Sequence, residues 1–297
     1  MKTSLDEQVA FIAVVDTGSI TAAANQLGQT VSAVSRSLAR LEQKLESTLL
    51  TRTTRRIELT EEGKLFLSHA RNIVASVEMA EDVIALRRQQ PAGQLRINAA
   101  TPFMLHVIVP LIPGFSAQYP EIKLELNTND EIIDLLEHRT DIAIRIGTLQ
   151  DSTLHATPLG STRSRILASP AYLANSPSIN SVQDLSRHRL LGFSQPDSLN
   201  LWPLQDHLGN PLHIKPDVAA SSGETLRQLA LNGEGLVRLS DFMSHDDIQR
   251  GDLVQVLAAD TLEVRMPINA VYYRNTQLSS RVVSFLDYLK QHMQAWD

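Results

Sequence analysis

The sequence contains no cysteine. This absence excludes disulfide bridges, thiolate nucleophiles and thiolate-bound zinc at once. Long apolar runs are missing as well, since none approaches the ~18 residues that a membrane-spanning helix needs. The first residues, Met1–Glu7, also lack the apolar core of a signal peptide. We therefore expect a cytoplasmic protein that contacts no membrane.

Signatures of catalysis and of metal binding are equally scarce. The nine histidines are scattered, and none of them has the His-Glu-x-x-His spacing or another metal-binding spacing. There is no Gly-x-Ser-x-Gly elbow, phosphate-binding glycine loop or dinucleotide fingerprint. The sequence therefore predicts that the protein is not an enzyme and holds neither a cofactor nor a metal.

The composition is that of an ordinary globular protein. A chain of 297 residues with 43% apolar and 20% charged residues suits two or three compact units. Its net charge of −6 would repel DNA if the charge were spread evenly. A basic segment would have to supply any attraction to nucleic acid.

Two short amphipathic helices joined by a tight turn are predicted between residues 19 and 42. Ser19 can cap the first helix, and Gly28 stands where the chain must turn sharply. A second helix in this arrangement enters the major groove of DNA. Its apolar positions recur every three or four residues and are predicted to face inward: Val31, Val34, Leu38 and Leu41. Its other positions are predicted to contact phosphates and base edges: Thr30, Ser32, Ala33, Ser35, Arg36 and Arg40.

Residues 49–60 alternate polar and apolar side chains around a basic turn, which is typical of a short two-stranded wing. Between positions 36 and 56, six basic residues stand against two acidic ones, so this segment supplies the attraction to DNA. The alternative is a solvated face on an ordinary surface helix, but the order helix, turn, helix and wing favours DNA. The wing residues predicted to contact DNA are Arg52, Arg55 and Arg56.

Five short motifs resemble the DNA-binding signature of the LysR-type transcriptional regulators. They are AAANQL at 22–27, SAVSR at 32–36, LE at 41–42, RTTR at 52–55 and LTEEG at 59–63. The resemblance extends over the whole chain. One departure is Val31, which stands where the family often has glutamine. Because valine offers only apolar contact, the family's usual base preference at this position does not carry over.

The resemblance implies an α/β chain with an all-α winged helix-turn-helix at its N-terminus. This domain would span residues 1–60, followed by a dimerising linker helix at 61–90 and an effector-binding domain at 91–297. The effector domain would have two lobes, like type 2 periplasmic binding proteins. We call them lobe 1 (about 91–162 and 268–297) and lobe 2 (about 163–267). The implied partners are double-stranded promoter DNA, further copies of the chain in a homodimer or tetramer, and a small organic effector. RNA polymerase is a further candidate partner.

Residues 61–89 read as one long helix, with Thr60 as its cap and Pro91 marking its end. Apolar residues recur along it at heptad spacing. Too little chain lies between 61 and 90 to cover such a seam, so a second copy is the expected partner. The predicted dimer seam consists of Phe66, Ala70, Ile73, Val77, Ala80 and Ile84.

From residue 92 onward, strands and helices alternate, which predicts parallel α/β layers. Strands are predicted at 94–100, 122–127 and 142–146, and helices from 101 and near 131–137. The chain is predicted to cross between the lobes near 159–164 and again near 265–269.

The cleft between the lobes is the predicted effector site, because ligands of such folds bind at strand ends and helix starts. Thr101 is expected to cap one helix there, and Ser221 and Glu224 have the spacing of a capping box at another. Arginine at a strand end can clamp a carboxylate. The resemblance to the family implies that Thr101, Arg145, Gly147, Phe193 and Thr225 line this site. The residue pattern adds Pro102, Phe103 and Arg238 to the predicted effector residues.

Alternatives stay open at this stage. Arg145 and Arg238 can instead pair with nearby acids such as Asp141 or Asp241. Thr101 and Ser221 can be helix caps without any contact to a ligand. The two arginines and an aromatic content of only 5% favour a small acid as effector. Two rival functions are an orphan DNA-binding protein without effector, and a metabolite-binding protein whose N-terminal module mediates protein contacts.

Overall fold

A computed structural model describes residues 2–52, 57–86, 91–128, 140–149, 154–273 and 279–293. The chain divides into two compact units. The first comprises residues 1–89, and the second comprises most of residues 90–297. None of the helices that the structure describes is long and apolar enough to cross a membrane.

The first unit is a helical domain that carries a small antiparallel ribbon. Its elements are α1 (Leu5–Thr17), α2 (Ile20–Leu27), α3 (Val31–Leu45), β1 (Leu50–Arg52), β2 (Ile57–Leu59) and α4 (Glu61–Leu86). The predicted helix pair and wing are therefore confirmed. The sequence analysis missed α1, although Ser4 and Glu7 form a capping box at its start, a pattern visible in the sequence.

Side-chain and glycine caps fix the helix ends as predicted. The Ser19 hydroxyl accepts a hydrogen bond from the backbone N–H of Ala22 at the start of α2. Gly28 ends that helix with φ +63°, a conformation that favours glycine. Thr60 caps α4 by accepting from the Gly63 N–H at 2.9 Å.

The inward face of α3 is one residue shorter than predicted. Val34, Leu38 and Leu41 are buried in the core of the first unit, as expected. Val31 is instead 45% exposed, because it is the first residue of the helix and lies beyond the contact with α1 and α2. This corrects the prediction that Val31 faces inward.

The apolar seam of α4 packs partly on its own domain. Ala70 is fully buried, and the Phe66 ring packs against the Phe11 ring at 5.6 Å. Ala70 therefore belongs to the core of the first unit, which corrects its assignment to the dimer seam. Phe66 is half-buried and packs against that core, so it stays a candidate for the seam. Ile73 is 40% exposed, Val77 is half-buried and Ala80 is exposed. The side chain of Ile84 lies outside the described residues.

The second unit alternates strands and helices. Its strands are β3 (Gly93–Ala99), β4 (Ile122–Thr128), β5 (Ile142–Ile146), β6 (Leu154–Ala168), β7 (Leu190–Phe193), β8 (Leu201–Gln205), β9 (Pro211–His213), β10 (Val218–Ala220), β11 (Leu236–Ser240), β12 (Val254–Gln255) and β13 (Arg265–Tyr273). Its helices are α5 (Thr101–Phe103), α6 (Val109–Gln118), α7 (Pro170–Ala174), α8 (Gly223–Leu231), α9 (Asp241–Arg250) and α10 (Ser280–His292). A π-helical turn at Met104–Ile108 joins α5 to α6. The predicted helix near 131–137 lies outside the described residues.

Two long strands connect the lobes. The sheet order is β10-β7-β11-β6-β13-β5-β3-β4, with β12 also paired to β6. Strands β3, β4 and β5 pair in parallel in lobe 1, and β7, β10 and β11 pair in parallel in lobe 2. Strands β6 and β13 run antiparallel to each other between these two groups, which confirms the two predicted crossings. The carboxyl ends of the parallel strands carry the helix starts that the following section describes.

Candidate functional site

The exposed start of α3 forms the candidate DNA-contacting surface of the first unit. Thr30 caps the helix by accepting from the Ala33 N–H at 3.2 Å, and its hydroxyl lies 3.1 Å from that of Ser32. Ser32 and Arg36 are exposed, and the first turn contains no acidic residue. Helix N-termini of this kind, rich in hydroxyl groups and arginine, suit phosphate oxygens and base edges.

Other predicted contacts on α3 are less accessible. Ala33 and Ser35 are half-buried. Arg40 remains 62% exposed, but its Nε lies 3.7 Å from the buried carboxylate of Glu7. Its guanidinium therefore has an internal partner that a phosphate would have to compete with.

The wing is tied to α3 by a side chain. Glu42 accepts hydrogen bonds from the backbone N–H groups of Leu49 and Leu50 at 2.8 and 3.1 Å. The strands β1 and β2 then pair from Leu50 opposite Leu59 to Arg52 opposite Ile57. Arg52 thus ends the first wing strand, while Arg55 and Arg56 lie outside the described residues.

In the second unit, α5 begins differently from the prediction. Ala100 is the residue that precedes the helix, and Thr101 is the first helical residue rather than the cap. No side chain caps this helix. Thr101 is half-buried, Pro102 is buried, and the fully buried Phe103 ring packs edge-on against Phe242 of lobe 2 at 5.3 Å. Phe103 therefore contributes to packing between the lobes.

The start of α8 also differs by one residue. Ser222 caps the helix, and its hydroxyl accepts from the Glu224 N–H at 3.3 Å. The expected capping box of Ser221 and Glu224 is therefore wrong, because the helix begins one residue later than that spacing requires. Thr225, the third residue of α8, is exposed.

Arg145 has an unused hydrogen-bonding group inside lobe 1. Its Nη1 donates to the side-chain oxygen of Asn98 at 2.9 Å and to the carbonyl of Ile144 at 3.1 Å. Its Nη2 is buried and has no partner among the residues that the structure describes. Burial lowers the pKa of the Arg145 guanidinium. The alternative of an ion pair between Arg145 and Asp141 is not observed.

Arg238 is held by neutral groups. Its Nη1 donates to the carbonyl oxygens of Leu199 and Leu201 at 3.2 and 2.7 Å, and its Nη2 lies 3.3 Å from the sulfur of Met266. Burial lowers the pKa of this guanidinium as well. The alternative that Arg238 pairs with Asp241 is wrong, because the Asp241 carboxylate instead accepts from two other arginines. These are Arg163 at 3.2 Å and Arg165 at 2.6 Å.

Two predicted effector residues meet at the helix start of lobe 2. A Cβ atom added at Gly223 would lie 3.2 Å from the Pro102 ring and 3.7 Å from the Phe193 ring. Gly147 follows β5 with φ +100°, and its N–H donates to the Pro267 carbonyl at 2.9 Å. The hydrogen bonds of Arg145 and Arg238 share no residue.

The sequence analysis missed a side-chain hydrogen bond between the lobes. His106 Nε2 lies 2.7 Å from a carboxylate oxygen of Glu224. These residues are 118 positions apart, so no local sequence pattern could have paired them. In lobe 2, a separate open cavity of about 310 Å³ contains none of the predicted effector residues; Leu185, His207, His213 and Lys215 are among its lining. No cluster of metal-ligating side chains occurs in the described parts of the chain.

Two family models match this sequence and together cover nearly all of it. Residues 5–64 match the bacterial regulatory helix-turn-helix protein model of the lysR family. Residues 88–294 match the LysR substrate binding domain. The gap between these matches covers most of α4, and the second match begins close to the boundary between the two compact units.

Characterised relatives resemble the whole chain. The HTH-type transcriptional regulator CrgA of Neisseria meningitidis serogroup C is 43% identical over 293 residues, which cover 99% of this chain and 98% of that protein. A solved structure of CrgA from Neisseria meningitidis matches this chain with a TM-score of 0.68 and 42% identity. The match covers 99% of this chain and all of the CrgA chain. A solved full-length structure of the Vibrio cholerae virulence activator AphB also matches this chain, with a TM-score of 0.61 and 26% identity. The match covers 98% of this chain and all of the AphB chain.

Proposed function

The chain belongs to the LysR family of bacterial transcriptional regulators, and we propose that it works as a homodimer or tetramer on promoter DNA, controlled by a small organic acid. Its relatives are named regulators, which agrees with the prediction that it is not an enzyme. Membership of the family establishes the helix-turn-helix domain and the substrate-binding domain. The oligomer, the contact residues and the acid are our proposals.

DNA contact is assigned to the exposed start of α3 and to the wing. In a helix-turn-helix protein, the N-terminal residues of the second helix contact base edges. Ser32 and Arg36 are exposed at that end of α3, and Thr30 presents its hydroxyl beside them. Exposed Val31 would offer apolar contact to a thymine methyl group.

Dimerisation is assigned to the exposed side of α4. Ala70 is fully buried in the core of the first unit, so the contact with a second copy is assigned to more exposed positions of α4. Leu65 is 66% and Ile73 40% exposed, and Ala80 is exposed seven residues further along. Steps of eight and seven residues keep these side chains on one side of a helix. Such a dimer would present two recognition helices to two half-sites.

The observation that carries the effector proposal is the state of Arg145. A buried guanidinium nitrogen that lacks a hydrogen-bond partner costs folding free energy unless another group accepts a hydrogen bond from it. The unpartnered Nη2 of Arg145, beside its bond to Asn98, suits a ligand oxygen. A carboxylate is the preferred partner because it forms charge-assisted hydrogen bonds with guanidinium.

Effector control would work by linkage. An acid that binds one lobe arrangement better than another shifts the equilibrium between them by its differential affinity, and no further. In a dimer or tetramer this shift would change the spacing of the helix-turn-helix pairs. The same ligand would therefore change operator affinity, and operator DNA would change ligand affinity by the same factor.

A ligand screen on the purified full chain tests the effector proposal. Acetate, succinate, citrate and benzoate would be titrated while the melting temperature of the wild type is followed, since a ligand of the folded state raises it. We expect one class of acid to stabilise the wild type, and Arg145→Met to abolish the effect. Arg187→Met is the matched control, because Arg187 lies on the surface and pairs with Asp184.

Two results would contradict the effector proposal. If Arg145→Met binds the acid as well as the wild type does, the assignment of Arg145 is wrong. If no organic acid changes either stability or operator affinity, the chain is an orphan regulator whose effector domain serves assembly.

A further inference from the structure

Three contacts among the described residues join the two lobes, and we call them the contact row. The row lies where α5 and the following π-helical turn of lobe 1 meet the starts of α8 and α9 in lobe 2. Two of its contacts are apolar, and the third joins a histidine to a carboxylate. The contacts are Pro102 against Gly223, Phe103 against Phe242, and His106 against Glu224.

The polar contact is short and partly shielded from water. His106 Nε2 lies 2.7 Å from a Glu224 carboxylate oxygen, and the side chains are 24% and 18% exposed. An imidazole N–H that donates to a carboxylate forms a charge-assisted hydrogen bond, which is about twice as strong as a neutral one. Partial burial protects this bond from screening by salt.

Glu224 is held in place from its own side. Its other carboxylate oxygen accepts from Arg227 at 2.9 Å and from Gln228 at 3.0 Å. Burial would raise the pKa of Glu224, but hydrogen bonds from Gln228 and His106 and the charge of Arg227 outweigh it and lower the pKa. The carboxylate is therefore ionised and cannot follow His106 if the lobes separate.

Arg227 extends this anchor into α9. Its Nε and Nη2 each donate to the Asp247 carboxylate at 2.6 Å, and that carboxylate is fully buried. A bidentate pair of this kind fixes the orientation of the guanidinium plane. His106 is thus hydrogen-bonded to α8, which is itself held to α9. Among the described residues, His106 is the one member of this hydrogen-bond network that belongs to lobe 1.

We propose that His106 and Glu224 form a latch that holds the two lobes together in this arrangement. The inference deepens the proposed function, because it assigns the arrangement of the lobes in the proposed effector domain to one hydrogen bond. The apolar contacts give the lobes a common surface, but apolar contact is non-directional. The latch adds direction and fixes which part of lobe 1 meets α8. An effector that favours a more open arrangement must break the latch, and one that favours this arrangement is assisted by it.

The absence of cysteine makes the latch measurable. Two engineered cysteines, Ala117→Cys in lobe 1 and Leu208→Cys in lobe 2, would carry spin labels at exposed positions, Leu208 being 72% exposed. Dilution of the labelled full chain with unlabelled, cysteine-free chain suppresses distances between protomers. Pulsed electron–electron double resonance, recorded without any added ligand, then gives the distribution of distances between the two spin labels.

We expect His106→Leu and Glu224→Met each to raise the ratio of open to closed lobes by about tenfold, which corresponds to ~1.4 kcal/mol. The double variant should open the lobes no further than the stronger single variant, because both substitutions remove the same bond. His106→Gln keeps an N–H donor and should restore most of the closed population. Glu234→Gln breaks the Arg189–Glu234 pair within lobe 2 and is the matched control, with no expected change.

Unchanged distances in both single variants, with circular dichroism showing that the proteins are folded, would overturn the latch. Fully additive effects in the double variant would also overturn it, because they would show that the two residues act separately. The outcome is independent of the effector proposal. If the latch variants open the lobes while operator binding ignores every organic acid, the latch stands and the effector proposal fails.

Discussion

Lys44 Nζ lies 2.8 Å from a carboxylate oxygen of Glu7, a residue whose side chain is only 3% exposed. Lys44 lies in the last turn of α3 and Glu7 in the first turn of α1. Glu7 also accepts from the Ser4 N–H at 2.9 Å, which closes the capping box of α1. One buried carboxylate thus caps the first helix and holds the recognition helix against it.

Replacement of Glu7 should destabilise the DNA-binding unit in a pH-dependent way. Burial would raise the pKa of Glu7, but the hydrogen bonds from Lys44 and Ser4 outweigh it and lower the pKa below its usual 4.5. The stabilisation is therefore complete above pH 4.5 and is lost as the pH falls through the lower, folded-state pKa. Glu7→Gln should cost ~2 kcal/mol near pH 7 in urea denaturation, and the difference should shrink below pH 4.5.

Glu61→Gln is the control for this measurement. Glu61 pairs with Lys64 on the surface of α4, where its side chain is 85% exposed, and such pairs contribute less than about 1 kcal/mol. A loss from Glu7→Gln that is equally small would show that the buried carboxylate does not hold α3 to α1.

The buried carboxylate of Asp247 should dominate the stability of lobe 2. It accepts from Arg227 and from Arg250, whose Nη2 lies 2.6 Å away, and it is fully buried. Asp247→Asn would remove the buried one of the two carboxylates that pair with Arg227, whose side chain is only 11% exposed, so we expect a loss of ~3 kcal/mol in the unfolding free energy.

Asp252→Asn provides the comparison for Asp247→Asn. Asp252 pairs with Arg250 at 2.8 Å, but both side chains are about half exposed, at 49% and 56%. Its loss should therefore cost less than about 1 kcal/mol. If Asp247→Asn and Asp252→Asn lower the unfolding free energy equally, the buried carboxylate of Asp247 does not dominate the stability of lobe 2.

Arg36 should contact a DNA phosphate. It is exposed near the start of α3, and no hydrogen bond or ion pair of its side chain is present among the described residues. Arg36→Ala should weaken operator binding and reduce the slope of log affinity against log salt by about one unit. Arg187→Ala removes the same charge from lobe 2 and should leave both quantities unchanged. If the salt dependence of operator affinity is the same in Arg36→Ala as in the wild type, Arg36 does not contact a phosphate.

Ile73 should lie in the dimer contact of α4. It is 40% exposed although it is apolar, and Ala80 is exposed seven residues later. Ile73→Glu would place like charges opposite one another, so sedimentation velocity should show a shift from dimer to monomer. Asn25→Glu adds the same charge on exposed α2 and should leave the dimer intact. A dimer that survives Ile73→Glu would contradict the assignment of α4.

The sequence predicted the DNA-binding unit well because its signals are local. Ser19, Gly28 and Thr60 act within three or four residues of their own position, so spacing alone identifies the caps and the turn. The assignment of Ala70 failed for the opposite reason. A heptad pattern shows that one face of α4 is apolar, but it does not distinguish a second copy from α1 of the same chain.

The proposed effector site was harder to predict because the contacts of its candidate residues join distant parts of the chain. Arg145 was identified as a cleft candidate, but its bond to Asn98 spans 47 positions and depends on the register of β3 and β5. The row of contacts between the lobes depends on the approach of α5 to α8. No pattern near His106 indicates Glu224 as its partner, since the two residues lie 118 positions apart.

The central claim is that this chain recognises particular promoter sequences. The most direct test is to select genomic DNA fragments with the purified full chain and to measure, at ~0.15 M salt, the affinity for the most enriched fragment against that for unrelated DNA. We predict at least a ~10³-fold preference, the lower end for specific DNA-binding proteins. Equal affinity for both DNAs, with no enriched fragment, would contradict the claim.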